Sequence, residues 1–374
     1  MKLSALVDGV GAKRVDALGT DPSVDAVTID SRRVTAGVVF VACPGATATS
    51  KDGHEFVDAA IAAGASAVVV TKADVARRIA SQIATLLVDD ARKAAAILAE
   101  RACGSPTSKL QLVGVTGTNG KTTTTWLVAE LARAAGKKAA VLGTLGVGPV
   151  DAYPDGVAWR SLGFTTPEAE VISAELKKLV DDGFDVVAME VSSHALATKR
   201  VDGLRFAACG FTNLTRDHLD FHGSMEAYFD AKARLFTEIA PDAPAILPAN
   251  DDDASQKLRA ARTDAATWSA DSKARATLFV DELVLDRSGI RGVLVDRDAR
   301  APFVSPLLGA YNAENLVVAA GLARAIGISI DDVTRGLASA VAPAGRLERV
   351  SNEGEPLVVV DYAHSPDALE RALH

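Results

Sequence analysis

The chain has 374 residues, of which 48% are hydrophobic and 24% charged, with a formal net charge of -8. This length exceeds one ordinary domain, and the composition excludes disordered and fibrous proteins. The acidic balance, without a dense cluster of Lys and Arg, argues against a nucleic-acid partner. We find no export signal and no run of about 18 apolar residues, so we expect no membrane span. Three widely spaced cysteines suit a reducing, cytoplasmic location.

Residues 1–107 are expected to form a small α/β domain. Short apolar runs alternate here with Ala-rich stretches, a pattern typical of strands and helices in turn. The predicted strands lie at 38–42, 67–70 and 85–88, and the predicted helices at 54–63 and 91–102. The turn-rich stretch 104–108 predicts a domain boundary.

Residues 108–342 are expected to form a larger domain with a doubly wound, mainly parallel sheet, whose ligands bind at the carboxyl ends of its strands. A βαβ unit opens it and predicts parallel pairing. The predicted strands lie at 110–115, 138–143, 185–191, 206–211 and 244–248, with a hairpin formed by 278–285 and 290–295. The predicted helices lie at 121–135, 167–181, 225–240, 313–326 and 331–340. Thr165, three residues before Glu168, has the spacing of a capping box.

Residues 343–374 contain a predicted strand at 357–360 and the start of a helix. A segment this short cannot bury enough apolar surface to fold alone. We therefore expect it to be the opening of a Rossmann-like third domain that is incomplete in this chain.

A glycine-rich stretch follows the first strand of the central domain and is the strongest chemical signal in the chain. It reads Gly117-Thr-Asn-Gly-Lys-Thr-Thr123. Val115 stands where the usual P-loop pattern has its first glycine. The glycines still allow backbone N–H groups to face an anion, Lys121 can reach β- and γ-phosphates, and Thr122 can bind magnesium. An ordinary glycine-rich turn is the alternative.

A second group of candidate residues lies at the ends of two later strands. Because both strands belong to the sheet that carries the glycine loop, we expect Glu190 and His218 to approach one divalent cation. A capping carboxylate and a hydrogen-bonded loop histidine are the alternatives. Lys232 lies on a predicted helix, where an isolated reading favours a surface lysine whose stem covers apolar neighbours.

The chain resembles the Mur ligases of peptidoglycan synthesis, most closely those that add the third peptide residue. The nucleotide loop alone would also fit sister Mur ligases and folylpolyglutamate synthetases, whereas the stretch 211–223 is more specific. The matching stretches are 28–32, 117–123, 165–167, 190–194, 211–223, 231–232, 311–312 together with 315, 345–346 and 361–364.

The resemblance implies an ATP- and Mg²⁺-dependent amide ligase with a UDP-sugar domain (1–107), a central ATPase domain (108–342) and a domain that brings the amino acid (343–374). Its partners would be a UDP-N-acetylmuramoyl dipeptide and a diamino acid, and the protein would be a cytoplasmic monomer. The nucleotide residues that it implies are Gly117, Thr118, Asn119, Gly120, Lys121, Thr122, Thr123, Asn312, Arg346 and Asp361.

The same resemblance assigns the remaining site residues. The implied metal ligands are Thr122, Glu190, His218 and a carbamylated Lys232, and the implied catalytic residues are Lys121, Glu190, His218 and Lys232. The implied substrate contacts are Ile29, Ser31, Thr165, Thr166, Ser192, Thr198 and Arg200. A surface salt bridge is the alternative role for Arg200.

The chain departs from the family pattern in three places. The loop 46–51 is longer than usual, so its sugar contacts cannot be assigned, and Thr198 stands where some members have glutamine. The motif that recognises the amino acid would lie beyond His374, which leaves meso-diaminopimelate and L-lysine both open. We therefore expect little or no complete turnover from this chain. A fragment that binds substrates without turnover, and another P-loop ATPase or kinase, are the competing hypotheses.

Overall fold

The computed structural model describes residues 1–45, 50–154, 158–352, 355–364 and 366–373. The chain divides into two compact units. The first unit comprises Met1–Lys109, Pro167–Asp182 and Ala195–Leu204, and the second comprises Leu110–Thr166, Gly183–His194 and Arg205–His374.

The strands and helices alternate along most of the chain. The strands are β1 (Lys13–Arg14), β2 (Ala26–Thr28), β3 (Val38–Val41), β4 (Ala67–Val70), β5 (Ala84–Leu87), β6 (Gln111–Thr116), β7 (Ala139–Gly143), β8 (Gly146–Pro149), β9 (Val186–Glu190), β10 (Ala208–Phe211), β11 (Ala245–Pro248), β12 (Ala266–Ser269), β13 (Leu278–Asp286), β14 (Gly289–Asp296), β15 (Ala299–Ser305), β16 (Glu348–Arg349) and β17 (Val359–Val360).

The α-helices are α1 (Leu3–Val7), α2 (Val57–Ala62), α3 (Ala73–Ile79), α4 (Ala91–Ala102), α5 (Lys121–Ala134), α6 (Ala169–Asp181), α7 (Ser193–Ala197), α8 (Leu219–His222), α9 (Met225–Arg234), α10 (Asp253–Ala261), α11 (Ala310–Ala325), α12 (Ile330–Ser339) and α13 (Pro366–Leu373). Among the described residues, no helix is both long and apolar enough to span a bilayer.

The first unit is built on a five-stranded sheet in the order β1-β5-β4-β3-β2, in which only β1 is antiparallel to its neighbour. The strands β3 and β4 are apolar throughout because both faces of the sheet are covered. Alternate residues enter two separate cores: Val39 and Val69 lie in one, Phe40 and Val68 in the other.

The second unit contains a ten-stranded sheet in the order β15-β14-β13-β12-β11-β10-β6-β9-β7-β8. The strands from β13 to β7 run parallel, whereas β14, β15 and β8 are antiparallel additions at the edges. The predicted fold class, a small α/β unit and a larger mainly parallel sheet, is confirmed.

The order of the central strands decides where the site forms. Strand β6 lies between β9 and β10, with Val115 opposite Glu190 and Thr116 opposite Phe211. The carboxyl ends of these strands therefore lie side by side. The prediction that the first βαβ unit pairs its own two strands is wrong, because β9 lies between β6 and β7 and pairs in parallel with both.

Several local predictions need correction. Helix α6 begins at Ala169, and its cap residue Glu168 makes no side-chain capping bond, so Thr165 and Glu168 do not form a capping box. The helix predicted at 225–240 ends at Arg234 and continues as the π-turn Leu235–Ile239. The guanidinium of Arg262 donates to Phe236 O at 3.0 Å and Ala240 O at 3.2 Å, which satisfies carbonyls at this irregular end.

The C-terminal segment contains a short antiparallel pair, β16 with β17, followed by α13. The Leu347 N–H donates to Asp361 Oδ2 at 2.7 Å, and the Tyr362 N–H donates to Gly345 O at 2.8 Å. These bonds tie the residues after β17 to those before β16.

Candidate active site

A glycine loop joins the central strand β6 to helix α5. Gly117 has a φ of 147°, and Gly120, which caps α5, has a φ of 84°. A Cβ atom on Gly117 would overlap Thr212 Oγ1, and one on Gly120 would overlap Asn315 Oδ1. Only glycine allows this close approach, which leaves the amino end of α5 able to present N–H groups to an anion.

The segment that follows β10 holds the glycine loop. The Thr118 N–H donates to Asn213 O at 2.9 Å, and the Asn119 N–H donates to Asn213 Oδ1 at 3.0 Å. The Thr212 hydroxyl donates to Asn119 O at 2.6 Å. Sequence analysis assigned no role to Thr212 or Asn213, although polar residues directly after a strand next to β6 were the available signal.

Two lysines converge on the carbonyl of Gly117. Lys121 Nζ donates to Gly117 O at 2.9 Å and to Thr118 O at 2.8 Å. Lys232 Nζ, on α9, donates to Gly117 O at 2.7 Å and lies 4.5 Å from the ring centroid of Tyr228. Lys232 is only 1% exposed, so its reading as a surface lysine is wrong.

Burial shifts the protonation of both amines. It is the main cause that lowers the pKa of Lys121 below its ordinary value. Burial also lowers the pKa of Lys232 well below its ordinary value, and the charge of Lys121 lowers it further. Removing an ammonium from water disfavours its charged form, so Lys232 has unusual access to the neutral, nucleophilic amine.

Glu190 ends β9 and is 2% exposed. Thr122 Oγ1 lies 3.1 Å from each carboxylate oxygen. The Thr144 N–H donates to Oε1 at 2.8 Å, and its hydroxyl lies 3.2 Å from Oε2. Carboxylate and hydroxyl oxygens side by side form a donor set that fits Mg²⁺, a hard cation.

His218 follows β10 in the chain. It precedes α8 with a left-handed φ of 51°. Its ring centroid is 4.8 Å from that of His194 and 6.2 Å from that of Tyr228, the residue that covers the Lys232 amine. Across the described ranges, no three His, Cys, Asp or Glu side chains gather as metal ligands. A metal here would therefore need the Thr122 hydroxyl or a modified lysine as well.

A pocket borders the glycine loop. Its lining residues are Asn119, Gly120, Thr123, Asn213, Tyr311, Glu314, Asn315, Arg346, Asp361, Tyr362, Ala363 and His364. Arg346 Nη2 lies 3.4 Å from Thr122 Oγ1, which links this pocket to the first turn of α5. The buried Tyr311 hydroxyl has no hydrogen-bond partner among the described residues, so a polar ligand would satisfy it.

Asn312 does not belong to this lining. Its Nδ2 donates to Leu308 O at 2.8 Å, and its Oδ1 accepts from Asn315 Nδ2 at 3.0 Å. Asn312 is fully buried and orients Asn315, which faces the pocket. Sequence analysis quoted Asn315 within a matching stretch but gave it no role.

Three of the predicted substrate contacts lie near Glu190. Thr165 Oγ1 is 3.0 Å from Thr144 Oγ1. The Thr166 hydroxyl donates to Glu190 O at 2.8 Å and accepts from the Ser192 N–H at 3.0 Å. Thr166 therefore ties its own segment to the end of β9. Thr165 lies next to Thr144, which donates to the Glu190 carboxylate.

The other predicted substrate contacts belong to the first unit. Ser31 opens a 3-10 turn that Asp30 caps, and the Ile29 N–H donates to Glu170 Oε1 at 3.4 Å. Thr198 is buried. Residues 46–49 of the loop after Gly45 lie outside the described residues.

Arg200 makes an ion pair, but its side chain is largely buried, so the pair is not the surface salt bridge of the alternative interpretation. Its Nη2 lies 2.8 Å from Glu168 Oε1, and its side chain is 17% exposed. Burial lowers the pKa of Arg200. An incoming carboxylate would therefore compete with Glu168 for a largely desolvated guanidinium.

Sequence analysis missed Tyr228 and Thr144. The Tyr228 hydroxyl is 3.1 Å from Thr118 Oγ1, and burial raises its pKa to about 12. Its position one helical turn before Lys232 was the available signal. Thr144 follows β7 directly, but its contact with Glu190 depends on β7 lying beside β9, which the local sequence does not reveal.

Comparison with known proteins agrees with this arrangement. The profile described as "Mur ligase middle domain" matches residues 115–323, and that described as "Mur ligase family, catalytic domain" matches residues 23–102. The "UDP-N-acetylmuramoyl-L-alanyl-D-glutamate--2,6-diaminopimelate ligase" of Geobacter sulfurreducens is 42% identical over 94% of this chain and 67% of its own length. The ligase of the same name from Xanthomonas campestris is 40% identical over 100% of this chain and 72% of its own.

Solved structures show the same relationship. A structure titled with the same ligase name superposes with a TM-score of 0.79 at 29% identity, covering 94% of this chain and 69% of the other. The MurF ligase from Thermotoga maritima shares the fold with a TM-score of 0.58 at 19% identity, covering 94% and 74%. The resemblance inferred from the motifs is confirmed, and the chain belongs to the Mur ligase family, on the branch of its third-residue ligases.

Proposed function

We propose that the chain carries the ATP-dependent reaction that joins 2,6-diaminopimelate to UDP-N-acetylmuramoyl-L-alanyl-D-glutamate. The observation that carries this proposal is the convergence of Lys121, Lys232, Thr122 and Glu190 on one glycine loop. The choice of diaminopimelate over lysine is supported by the names of the relatives from Geobacter sulfurreducens and Xanthomonas campestris.

The chemistry explains why a phosphate loop and a metal site occur together. A carboxylate does not condense with an amine directly, because an oxide or hydroxide would have to leave. In the proposed first step, a D-glutamyl carboxylate oxygen attacks the γ-phosphorus of ATP, the bond to the β-phosphate oxygen breaks, and ADP departs. The amine then attacks the acyl phosphate, loses a proton and expels inorganic phosphate. Both partners in the first step are anions, so the site must offset their repulsion.

The residues of the second unit divide this work. Lys121 would exchange its bonds to the loop carbonyls for bonds to phosphate oxygens, and the N–H groups of the loop would hold the same anion. Thr122, Glu190, His218 and modified Lys232 would hold magnesium. Bound magnesium would neutralise charge on the triphosphate and on the transferring group. Arg346 and Asp361 would complete the nucleotide pocket, with Tyr311 and Asn315 beside them.

The surroundings of Lys232 support the proposed carbamate. An ammonium group repels a metal cation, whereas a carbamate supplies an anionic oxygen ligand. The amine nitrogen attacks the carbon of carbon dioxide and loses a proton, so the reaction needs a neutral amine. The buried position of Lys232 and the nearby Lys121 favour that neutral form, as the lowered pKa of Lys232 indicates.

The substrate residues would act at the two ends of the UDP-sugar peptide. Ile29 and Ser31 would contact the uridine end, and Thr165, Thr166, Ser192, Thr198 and Arg200 would hold the muramoyl dipeptide. The proposed division is a UDP-sugar domain (1–107), an ATPase domain (108–342) and part of an amino-acid domain (343–374). The protein would act as a monomer in a reducing cytoplasm, and the free thiols of Cys43, Cys103 and Cys209 agree with the reducing environment.

The first test asks whether the chain forms an acyl phosphate, only hydrolyses ATP, or only binds its ligands. The 374-residue chain is incubated with Mg²⁺-ATP, with or without the UDP-dipeptide, and hydroxylamine traps any acyl phosphate as a hydroxamate. We expect hydroxamate and ADP only when the UDP-dipeptide is present. ADP release that ignores the UDP-dipeptide would instead support a simple P-loop ATPase. Binding of both ligands without ADP release would support a catalytically incomplete fragment.

A second measurement adds diaminopimelate or L-lysine without hydroxylamine and follows the ligated product. We expect little product from this chain and a preference for diaminopimelate. Vigorous ligation would show that the expectation of low turnover is wrong, and a preference for L-lysine would overturn the assignment of the amino acid.

A further inference from the structure

Thr144 contacts both halves of the proposed site. Its hydroxyl oxygen lies 3.2 Å from Glu190 Oε2 and 3.0 Å from Thr165 Oγ1. Glu190 is the proposed metal ligand, and Thr165 is a proposed contact of the muramoyl dipeptide. A single side chain therefore bridges the metal-nucleotide site and the peptide site.

This bridge is held closely against Glu190. Gly143, the last residue of β7, has no side chain, and a Cβ atom there would overlap the Glu190 carboxylate. The Thr144 N–H also donates to Glu190 Oε1 at 2.8 Å. The backbone of Thr144 is thus held against Glu190 whichever partner receives the hydroxyl proton.

A hydroxyl group has one proton to donate. Thr144 can donate it to Glu190 Oε2 or to Thr165 Oγ1, but not fully to both. While Thr165 donates to Thr144, the Thr144 proton goes to Glu190 and occupies a lone pair of Oε2. When Thr165 donates elsewhere, its oxygen can accept from Thr144, and Oε2 is released.

We propose that Thr144 is a positioning residue that couples the binding of the muramoyl dipeptide to the binding of the metal-nucleotide complex. This inference rests on the proposed function. The dipeptide presents carboxylate and carbonyl oxygens, which accept hydrogen bonds, so Thr165 donates to it when it binds. Thr144 then turns its proton to Thr165, and Glu190 Oε2 becomes available to the metal. Each ligand therefore strengthens the binding of the other by the same factor.

The coupling is measured as a ratio of dissociation constants. Calorimetry gives the dissociation constant of a non-hydrolysable ATP analogue with Mg²⁺, alone and with saturating UDP-N-acetylmuramoyl-L-alanyl-D-glutamate. We expect the dipeptide to tighten nucleotide binding by about three- to tenfold, the net worth of one hydrogen bond.

Thr144→Val removes the hydroxyl and keeps the backbone N–H and the side-chain shape. We expect it to bind the nucleotide without dipeptide as tightly as the unmodified chain does with dipeptide, so that the ratio falls to about one. A merely structural role predicts the opposite change, a weaker affinity. Thr144→Ser keeps the hydroxyl and is the matched control, which should retain the ratio.

Thr144 is exposed, so the substitution is compatible with folding, and the unfolding midpoint of each variant checks this. Thr165→Val tests the same pair of hydroxyl groups from the Thr165 side and should also lower the ratio of dissociation constants to about one. Combining Thr144→Val with Thr165→Val should cause no further change in this ratio. The coupling is overturned if the ratio of dissociation constants is one or less in the unmodified chain, or if Thr144→Val has the same ratio as the unmodified chain. Either result leaves the proposed function standing. Failure of the unmodified chain to bind either ligand overturns both.

Discussion

Lys121 and Lys232 donate to the same backbone atom, the carbonyl oxygen of Gly117, at 2.9 Å and 2.7 Å. Two amines that share one acceptor in a buried site cannot both keep a full charge without cost. Burial is the main cause that lowers the pKa of both groups, and the charge of Lys121 lowers the pKa of Lys232 further. In the proposed function, Lys121 binds phosphate while Lys232 is converted to an anionic carbamate, so these chemically similar residues have different roles.

Removing Lys232 should separate nucleotide binding from phosphoryl transfer. We expect Lys232→Ala to retain binding of the ATP analogue, because Lys121 and the loop amides remain, but to lower acyl-phosphate formation by at least about 100-fold. The hydroxylamine trap measures the second quantity and calorimetry the first. Lys257→Ala is the control, since Lys257 is an exposed lysine paired with Asp253. Unchanged ADP production in Lys232→Ala would remove Lys232 from the site.

The modification of Lys232 has its own signature. With ¹³C-labelled bicarbonate, we expect a carbamate carbon resonance in the unmodified chain and in Lys257→Ala, but none in Lys232→Ala. Because carbamylation needs the neutral amine, the signal should survive near neutral pH and weaken as acid protonates Lys232. A resonance that persists in Lys232→Ala would assign the carbamate to another amine.

Glu190→Gln should weaken magnesium-dependent binding. The amide keeps the size of the side chain, but it replaces a carboxylate oxygen with an NH₂ group that cannot ligate a cation and that faces donors from Thr122 and Thr144. We expect the apparent affinity for Mg²⁺ in the presence of the ATP analogue to fall at least about tenfold. The exposed Glu226 gives the control variant Glu226→Gln. Equal magnesium titrations for both variants would contradict the assignment.

The sequence predicted well those elements whose burial pattern is evident from a few consecutive residues. The strand β4 was predicted with its observed bounds because Ala67–Val70 is apolar throughout and is buried on both faces. Helix α4 has a clear amino-terminal cap in Asp90, and its predicted and observed limits agree. The glycine loop was found in the same way, since its conformation depends on Gly117 and Gly120 themselves.

What depends on strand order could not be predicted. Nothing near β6 or β7 indicates that β9 lies between them, yet this order brings Glu190 to Thr122 and Thr144. The burial of Lys232 is likewise a property of the packed unit, and its helix alone favours solvent. Family resemblance supplied the role of Lys232, whereas Glu190 and Thr122 were already candidates from the local sequence and Thr144 was missed. The roles assigned by that resemblance stay predictions until the variants are measured.

The close approach of the glycine loop to the segment after β10 predicts a large cost for any added side chain. In Gly117→Ala the new Cβ would overlap Thr212 Oγ1 and lie 3.0 Å from Asn213 N. We expect this crowding to lower the free energy of unfolding by about 1 to 3 kcal/mol beyond the cost of the backbone conformation. Gly136→Ala gives a reference for the cost of a positive φ without crowding, since Gly136 has a φ of 78° and open space around it, whereas the φ of Gly117 is 147°. Equal losses in urea unfolding would show that the loop relaxes freely.

The buried carboxyl of Glu100 makes the stability of the first unit depend on pH. Thr107 donates to Glu100 Oε1 through its N–H at 2.9 Å and its hydroxyl at 2.5 Å, but burial outweighs these bonds and raises the pKa of Glu100. A carboxyl group whose pKa is higher in the folded state than in the unfolded state does not lower the free energy of unfolding at a pH below its unfolded pKa. It lowers that free energy as the pH rises through the folded pKa.

We therefore expect Glu100→Gln, which keeps the accepting oxygen without the charge, to unfold at a higher urea concentration than the unmodified chain at about pH 7.5. The difference should shrink as the pH falls towards about 4, where Glu100 is protonated in both the folded and unfolded states. Glu55→Gln, at an exposed position, is the control and should show no such trend. A variant that is less stable at every pH would show that the ionised carboxylate is the form that the Thr107 donors require.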